Sequence, residues 1–275
     1  MTPLSGDAPY LLGETSAEHD RLIRQAAIFD PFTERLFRDA GIGPGQRVLD
    51  IGSGVGDVAM LAARLVGLSG AVVGVEREAT TLATARSRVA KAGLVNVSFM
   101  ESDVRNVASS EQFDAVVGRV ILQYLPDAGA VVRSLAALVR PGGLMVFQDV
   151  WPASLLHFAT HLSLRAKCAS LIYRTFERSG VSMDMEMVLH HAIQEAGFPA
   201  PNIRIEIPIG DDPGIVRWVY DLFCTLLPRI PEGELAASGI GDLGSLDSRL
   251  ETERLAARSF GACVGLVGAW SRKPG

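Results

Sequence analysis

Cysteine and metal-binding motifs are scarce in this sequence of 275 residues. It contains three cysteines, Cys168, Cys224 and Cys263, and no two of them form a CxxC pair. Neither a zinc knuckle nor a disulfide framework is therefore indicated. His157 and His161 have the i, i+4 spacing of a metal pair, but no HExxH glutamate and no obvious third ligand accompany them. We expect no bound metal.

Excess positive charge and long apolar runs are also missing from the sequence. Lys and Arg number 26 against 31 Asp and Glu, whereas nucleic-acid binders normally carry a basic excess. The most apolar window, residues 58–75, is interrupted by Arg64 and three glycines and falls short of a membrane span of about 20 residues. Residues 1–10 lack the basic and apolar regions of a secretory signal. We therefore expect a cytoplasmic protein that has no membrane span and no nucleic-acid partner.

What the sequence does contain is apolar material in short blocks. Hydrophobic residues make up 48% of the chain, which is enough for a sizeable core. From Arg47 to Asp149, short β-branched runs alternate with helical segments, which is typical of βαβ units in a parallel sheet. The predicted strands are Val48–Ile51, Ala71–Val75, Val97–Met100, Ala115–Val117 and Leu144–Gln148.

The segments on either side of this region have other patterns. Residues 16–38 predict one or two helices with a break at Asp30–Pro31, because the residue before a proline disfavours the helical conformation. Residues 154–178 predict one long amphipathic helix. Residues 228–248 are rich in Gly, Pro and Ser and predict a mobile loop, and residues 261–270 predict the final strand.

The stretch RVLDIGSGVGD, residues 47–57, places a glycine-rich loop directly after a predicted strand. Asp50 precedes Gly52, Gly54 and Gly56 in a GxGxG pattern, whereas dinucleotide-binding dehydrogenases have GxGxxG at this place. A carboxylate at the mouth of the loop would repel a pyrophosphate. It suits S-adenosylmethionine, because the sulfonium and α-ammonium groups of that molecule outweigh its single carboxylate.

Two further acids stand at the ends of the next predicted strands. Glu76 closes VVGVE and Asp103 closes VSFMESD, each about one βα unit further along the chain. A parallel sheet brings such positions to one edge, where α/β folds bind their ligands. We expect Glu76 to accept hydrogen bonds from the ribose hydroxyls and Asp103 to accept one from the adenine amine.

Taken together, these motifs resemble those of class I S-adenosylmethionine-dependent methyltransferases of the bacterial, small-molecule type. The resemblance covers residues 45–150 and is carried by VLDIGSGVG, VVGVE, ESD, FDAVVGRVILQYLPD and LVRPGGLMVFQD. It implies an α/β, Rossmann-like fold with a seven-stranded, mostly parallel sheet, an antiparallel last strand and helical lid insertions. The cofactor-binding residues that it implies in the core are Asp50, Gly52, Ser53, Gly54, Glu76, Arg77, Asp103, Val104, Arg119 and Val120.

The N-terminal segment YLLGETSAEHDRLIRQAAIFD is similar to a segment that precedes the core in bacterial members of this family. The resemblance implies that Tyr10 and Gln25 close over the carboxylate of the cofactor, with an amphipathic packing helix as the alternative. The implied division is an N-terminal helical segment at 1–40, a cofactor-binding core at 41–150, a helical lid with the helix before strand six at 151–200, and the last two strands at 201–275. The last part includes an inserted helical cap at about 211–258.

Methyl transfer to a hydroxyl group is helped by a base close to the acceptor, and histidine is the usual candidate near neutral pH. His157 and His161 lie on the predicted helix after the fifth strand, on the same side as Cys168. Tyr124 follows the fourth strand and is a third candidate for contact with the methyl group or the acceptor. The alternative is that both histidines face solvent or a dimer partner and that Tyr124 is a packed aromatic residue.

The sequence therefore predicts a methyltransferase that moves a methyl group from S-adenosylmethionine to a small hydrophobic acceptor. Oxygen is the favoured acceptor atom and secondary metabolism the favoured setting, with carbon and nitrogen as alternative acceptor atoms. An NAD(P)-dependent oxidoreductase and a catalytically silent cofactor-binding protein are the alternatives from other classes. The expected partner is the acceptor, and a homodimer is compatible with the sequence.

Overall fold

The computed structural model describes residues 16–158 and 161–275. Its helices are α1 Ser16–Ala40, α2 Asp57–Val66, α3 Ala79–Lys91, α4 Ala128–Ala136, α5 Ser154–His157, α6 Ser163–Arg178, α7 Met185–Glu195, α8 Pro213–Leu226, α9 Glu232–Ala237 and α10 Leu246–Ala256. Its strands are β1 Arg47–Ile51, β2 Ala71–Glu76, β3 Val97–Glu101, β4 Phe113–Arg119, β5 Val139–Trp151, β6 Asn202–Glu206, β7 Ile209–Gly210, β8 Gly261–Ala262 and β9 Gly265–Arg272. None of the described helices combines the length and the apolar character needed to cross a membrane.

Seven of the strands form one sheet in the order β3-β2-β1-β4-β5-β9-β6. β1 pairs in parallel with β2 and β4, while β3 and β5 extend the sheet in parallel on either side. One strand of the sheet is antiparallel. The predicted α/β, Rossmann-like fold class is confirmed, and so is the predicted region of alternating strands and helices.

The sheet is buried because its central strands are apolar on both faces. Val48, Leu49 and Ile51 of β1 have no exposed surface. α2 packs on this region, and its Ala59 and Ala62 are also fully buried. Small side chains allow the helix to approach the strands closely, which fixes the position of the glycine-rich loop between β1 and α2.

The chain divides into two compact units, each built from several segments. The sheet unit comprises residues 29–149, 184–205 and 267–275. The helical unit comprises, among the described residues, 16–28, 150–158, 161–183 and 206–266. In the helical unit α6 packs against α8, and β7 pairs with β8. The four sequence segments and their roles stay predictions.

Two helix predictions are wrong. α1 continues through Asp30 and Pro31 without the predicted break, and Phe29 and Phe37 on either side of the proline are buried. Packing of the flanking turns therefore outweighs the one backbone hydrogen bond that a proline removes. Conversely, the predicted helix at 154–178 is interrupted, because Leu162 has an extended backbone and α6 begins only at Ser163.

The prediction of a loop at 228–248 is also wrong. This stretch contains α9 and the first residues of α10, with Ile230 and Ile240 buried as anchors. α9 has acidic residues in its first turn, where the helix dipole favours negative charge. Glu234 of that turn also pairs with Arg178 of α6 at 2.6 Å. The predicted last strand at 261–270 is divided into β8 and β9.

Candidate cofactor site

The glycine-rich loop after β1 is made of backbone in the left-handed conformation. Gly52, Gly54 and Gly56 have φ angles of +63°, +52° and +91°, a region that side chains other than glycine rarely adopt. A Cβ atom at Gly52 would lie 2.7 Å from the Ile121 side chain, so there is no room for a side chain at this position. A Cβ atom at Gly54 would meet nothing within 4 Å. The loop therefore presents bare backbone to open space at Gly54.

The Glu76 carboxylate accepts three backbone hydrogen bonds, one of them from this loop. Its Oε2 accepts from the Gly54 N–H at 3.1 Å, and its Oε1 accepts from the N–H groups of Arg77 at 2.8 Å and Glu78 at 3.1 Å. The end of β2 and the loop after β1 thus meet at one place, as the parallel sheet implies. Arg77 itself is exposed.

Asp50 is 1% exposed, and neither of its carboxylate oxygens has a hydrogen-bond partner among the described residues. Burial raises the pKa of Asp50 well above its ordinary value, and the guanidinium of Arg119 and, more weakly, the nearby backbone N–H of Ala59 lower it. The Ala59 N–H does not form a hydrogen bond of normal geometry with either carboxylate oxygen. A buried carboxyl group without a partner is costly in the ligand-free protein. A bound cation would supply the missing partner and restore the charged form.

The Asp103 carboxylate already accepts hydrogen bonds from within the protein, which the sequence did not indicate. Its Oδ1 accepts from the backbone and side chain of Arg105, both at 2.8 Å, and its Oδ2 pairs with the same guanidinium at 2.6 Å. This hydrogen bonding to Arg105 lowers the pKa of Asp103. An adenine amine would have to share the carboxylate with Arg105. Val104 next to it is buried, as an apolar neighbour of an adenine ring would be.

Sequence reasoning missed a polar network at the end of β4. The side chain of Arg119 pairs with Asp30 of α1 at 2.8 Å and donates to Thr33 Oγ1 at 2.9 Å. Thr33 in turn donates to Gln148 Oε1 of β5 at 2.6 Å. Arg119 is also the positive charge that acts most strongly on Asp50. No local sequence signal reveals this network, because Asp30 and Arg119 are 89 residues apart.

Val120 has a strained backbone directly after Arg119. Its φ angle is +54°, although it is a β-branched residue, and its N–H donates to the Gln148 carbonyl at 2.7 Å. Strain of this kind is retained where the surrounding structure enforces it, which is most often at functional sites.

Ser53 lies in the glycine-rich loop after β1. Its N–H donates to the Val75 carbonyl at 2.8 Å, and its buried hydroxyl has no partner among the described residues.

Comparison with known proteins agrees with this geometry. A family profile described as a methyltransferase domain matches residues 42–196, which is more than half of the chain. The chain belongs to the class I S-adenosylmethionine-dependent methyltransferases. The cofactor of this family is S-adenosylmethionine. The buried Asp50 carboxylate at the end of β1 lacks a hydrogen-bond partner among the described residues, which fits a ligand with positive charge.

Two curated relatives and one solved structure illustrate the similarity. The arsenite methyltransferase of Aquipseudomonas alcaligenes is 37% identical over 115 residues, which cover 39% of this chain and 33% of that protein. The aklanonic acid methyltransferase DauC of a Streptomyces species is 33% identical over 135 residues, which cover 49% of this chain and 60% of that protein. The chain thus spans a third to three fifths of the length of these relatives. A Bacillus halodurans protein described as a methyltransferase has a TM-score of 0.59 at 16% identity and covers 88% of this chain and 98% of its own, which shows the fold.

A second buried acid of this methyltransferase, Asp149 of β5, was not predicted as a site residue. It has no exposed surface, and burial raises its pKa from 3.8 to about 8, although the backbone amides of Gln123, Leu122 and Ile121 lower it. At neutral pH this group is therefore mostly protonated. The sequence did contain a signal for a site residue here, because Asp149 directly follows a predicted strand and α/β folds bind their ligands at the carboxyl ends of strands.

The predicted catalytic residues of this methyltransferase are not grouped as expected. His157 and His161 are exposed while Cys168 is buried, so the prediction that all three lie along one side of one helix is wrong. The His161 Nε2 lies 2.9 Å from the Ser259 hydroxyl, and the His157 ring contacts the edge of Phe158 at 5.0 Å. The reason is the break before Leu162, which changes the direction of the chain.

The other candidates are spread over the sequence. Tyr124 ends the 3₁₀ turn Leu122–Tyr124 after β4 and is half-buried. Gln25 accepts a hydrogen bond from Arg21 at 2.8 Å, and Tyr10 lies outside the described residues. Their roles at the cofactor stay predictions. Among the described residues, no three His, Cys, Asp or Glu side chains are grouped as metal ligands.

Proposed function

We propose that this protein transfers a methyl group from S-adenosylmethionine to a small hydrophobic organic acceptor, with oxygen as the favoured atom. The observation that carries the choice of cofactor is the buried Asp50 carboxylate, which has no hydrogen-bond partner among the described residues and stands four residues before the open backbone position Gly54. Carbon and nitrogen acceptors remain the alternatives, and a cytoplasmic setting in secondary metabolism belongs to the same proposal.

The chain's own residues would bind and orient the cofactor. S-adenosylmethionine supplies an electrophilic methyl group on a sulfonium. Asp50 would balance the positive charge of the methionine portion, and Glu76 would accept from the ribose hydroxyls. Asp103 and Val104 would hold the adenine. Since methyl transfer is an in-line displacement, alignment and exclusion of water are the main tasks that remain for the protein.

An organic acceptor is favoured over arsenite by the state of the cysteines. Arsenic(III) is a soft centre that binds thiolates, and thiolate character depends on a lowered pKa. Burial instead raises the pKa of Cys168 to about 12 and also raises the pKa values of Cys224 and Cys263. All three thiols are therefore protonated at neutral pH.

For an oxygen acceptor, His157 and His161 remain the proposed bases, with Tyr124 as a third residue that would contact the acceptor. The exposed rings of both histidines are accessible to a ligand and to protons from solvent. A homodimer, in which such exposed residues would face a second copy, also remains a proposal.

We expect Gly54→Ala to weaken S-adenosylmethionine binding by roughly tenfold or more, because a methyl group would fill the open space beside the loop. Gly67→Ala is the matched control. Gly67 has a similar φ angle of +65°, and its Cβ would also meet nothing within 4 Å, but it lies at the far end of α2. Both variants should lose unfolding free energy on the order of 1 kcal/mol or more, because alanine rarely adopts a positive φ angle. Calorimetric titration should show weaker cofactor binding only for Gly54→Ala. Equal affinities would place the cofactor elsewhere.

The identity of the acceptor atom is tested with labelled S-adenosylmethionine and pairs of small aromatic alcohols and their methyl ethers. We expect label in the alcohols and none in the ethers, because the ether oxygen is blocked. Label in the ethers as well would indicate carbon methylation, and label only in arsenite or in amines would contradict an oxygen acceptor.

Calorimetric titration with NADH tests the two alternative functional classes, an oxidoreductase and a silent cofactor-binding protein. Binding of NADH without binding of S-adenosylmethionine would favour an oxidoreductase, and binding of S-adenosylmethionine without transfer to any acceptor would favour a silent cofactor-binding protein.

A further inference from the structure

The helical unit contains a cavity of about 440 Å³, and all the residues that line it belong to this unit. Sites for small organic molecules have volumes of about 300 to 1,000 Å³ and mostly apolar linings with a few polar groups. Among the described residues, none of those predicted to bind the cofactor or to act as a base lines this cavity. The cavity therefore has the size of a small-molecule site, and its walls come from other residues than those of the candidate cofactor site.

Apolar side chains from several elements of the helical unit form much of the wall. Leu162 stands just before α6, Val216 belongs to α8, Leu250 belongs to α10 and Phe260 precedes β8. Phe260 forms an edge-to-face pair with Phe158, with ring centroids 6.4 Å apart, and is nevertheless 41% exposed. An aromatic ring that is exposed to this extent gains free energy when an apolar or aromatic surface covers it. The wall thus favours a ligand with an aromatic body.

The charged groups of the lining are already paired. Arg217 of α8 forms an ion pair with Asp247 of the same lining and a second one with Asp221 at 3.1 Å. Its guanidinium carbon also lies 4.7 Å from the centre of the Tyr220 ring. Asp221 pairs in addition with Arg24 of α1 at 3.3 Å. Arg217 therefore has no unpaired charge to offer to an anion.

Arg254 of α10 is shared between two carboxylates in the same way. It pairs with Glu251 at 2.7 Å and with Asp211 at 2.8 Å, and both acids line the cavity. The third arginine of the lining, Arg165, is 8% exposed, and its Nη1 is buried, so a ligand in the cavity does not contact that nitrogen. The lining thus contains three arginines and the three acids Asp211, Asp247 and Glu251, which balance one another. A charged ligand would lose hydration here without gaining an unpaired ion of opposite charge.

We propose that this cavity binds a small uncharged aromatic molecule. The rings of the ligand would cover Phe260 and pack on the aliphatic side chains of Leu162 and Val216. The ion pairs of Arg217 and Arg254 would keep their present partners at the edge of the ligand. This site goes beyond the proposed methyl transfer. Its occupancy is measured without S-adenosylmethionine, so the outcome does not depend on that reaction.

The first experiment compares probes that share a naphthalene body and differ in charge: neutral 2-naphthamide, anionic 2-naphthoate and cationic 2-naphthylmethylammonium. Calorimetric titration of the full chain at pH 7 should show that 2-naphthamide binds at least roughly tenfold more tightly than either ion, because only the ions lose a charged hydration shell. Equal or tighter binding of either ion would overturn the proposal, since the cavity would then offer it an unpaired charge.

The substitution Ser248→Trp tests the location of the probe. Ser248 is exposed on α10 and lines the cavity, so an indole ring at this position would occupy the space of the ligand. Thr252→Trp is the matched control. Thr252 is exposed one turn further along α10 and does not line the cavity, and both hydroxyls donate to a backbone carbonyl of the preceding turn, at 2.9 Å and 2.8 Å.

Ser248→Trp should remove at least roughly tenfold of the 2-naphthamide affinity, and Thr252→Trp should retain all of it. An unchanged affinity in Ser248→Trp, or an equal loss in both variants, would place the probe elsewhere and overturn the proposal.

A second pair of variants decides the question if a tryptophan variant does not fold. Phe260→Ala removes the exposed ring from the wall and should weaken 2-naphthamide binding by roughly three- to tenfold. Leu255→Ala is its control, because Leu255 is 59% exposed but does not line the cavity. Its affinity for 2-naphthamide should equal that of the original chain. An unchanged affinity in Phe260→Ala would count against the site.

Discussion

S-adenosylmethionine should bind Asp50→Asn about ten- to a hundredfold more weakly than it binds the unsubstituted protein. This range corresponds to the loss of one hydrogen bond to a charged group. The variant should nevertheless remain folded, with an unfolding free energy at least as high as that of the original chain. The reason is that Asp50 is buried without a partner, and a neutral amide is less costly to bury than a carboxylate.

The pH dependence of this binding gives a second readout. Burial raises the pKa of Asp50, so the ligand-free protein holds a proton there at low pH, whereas a bound cation favours the carboxylate. Cofactor binding should therefore release a proton and become tighter as the pH rises above the ordinary Asp value of 3.8. The Asp50→Asn variant should lack this trend. Calorimetric titrations at several pH values measure both effects.

Glu34→Gln is the control for the loss of a carboxylate elsewhere in the sheet unit. Glu34 forms an exposed ion pair with Arg38 at 2.6 Å, and such pairs contribute little to stability. The affinity of the Glu34→Gln variant for the cofactor, and the dependence of that affinity on pH, should match those of the original chain. An Asp50→Asn protein that folds and binds S-adenosylmethionine with unchanged affinity would remove Asp50 from the cofactor site.

The substitution Asp149→Asn should change the stability of the protein by several kcal/mol, and the change should grow with pH. In the folded state the pKa of Asp149 is about 8, against an ordinary value of 3.8. Between these values the folded protein holds a proton that the unfolded chain has lost. The contribution of Asp149 to stability is therefore fully present below about pH 4 and is lost as the pH rises towards 8.

Each unit of this pKa shift corresponds to about 1.4 kcal/mol. The asparagine side chain does not titrate, so the unfolding free energy of Asp149→Asn minus that of the original chain should increase steadily from pH 4 to pH 8. Urea denaturation at several pH values measures this difference. A constant difference across that range would show that Asp149 titrates near its ordinary value.

Asp103→Asn is the control with the opposite sign of pKa shift. Hydrogen bonds and charge from Arg105 lower the pKa of Asp103, so it is ionised in both the folded and the unfolded chain above about pH 5. Its stabilising contribution is lost only as the pH falls below that range. Without cofactor, Asp103→Asn should therefore differ from the original chain by a constant amount between pH 5 and pH 8.

Several features of the fold and site followed from short stretches of sequence. The GxGxG motif after an apolar run predicted a loop of bare backbone, and a Cβ atom at Gly54 would meet nothing within 4 Å. Glu76, at the end of the next strand, was predicted to lie at the same edge of the sheet as Asp50, and it accepts a hydrogen bond from Gly54 of the loop after β1. These inferences depend on local chain geometry and on the regular repetition of strand and helix. The same regularity predicted the parallel pairing of β1 to β5.

Other features were beyond the reach of sequence patterns. The helical periodicity of residues 154–178 gave no sign of the break before Leu162, so the placement of His157 and His161 was wrong. The pattern also gave no sign that Arg105 would form an ion pair with Asp103, or that Thr33 would form hydrogen bonds with both Arg119 and Gln148. Such pairs form between side chains whose distance depends on how whole elements pack.

The sequence by itself determined the alternation of strands and helices in residues 47–149, the glycine-rich loop and the acids at the strand ends, because these depend on contacts between near neighbours in the chain. Only the tertiary structure decided which charges are buried and which are paired. Asp50, Asp149 and Arg165 are ordinary charged residues in the sequence, and their burial in the fold removes water without supplying a full set of partners. Desolvation depends on every element that surrounds a group, and this is why it cannot be read from the residues beside it in the chain.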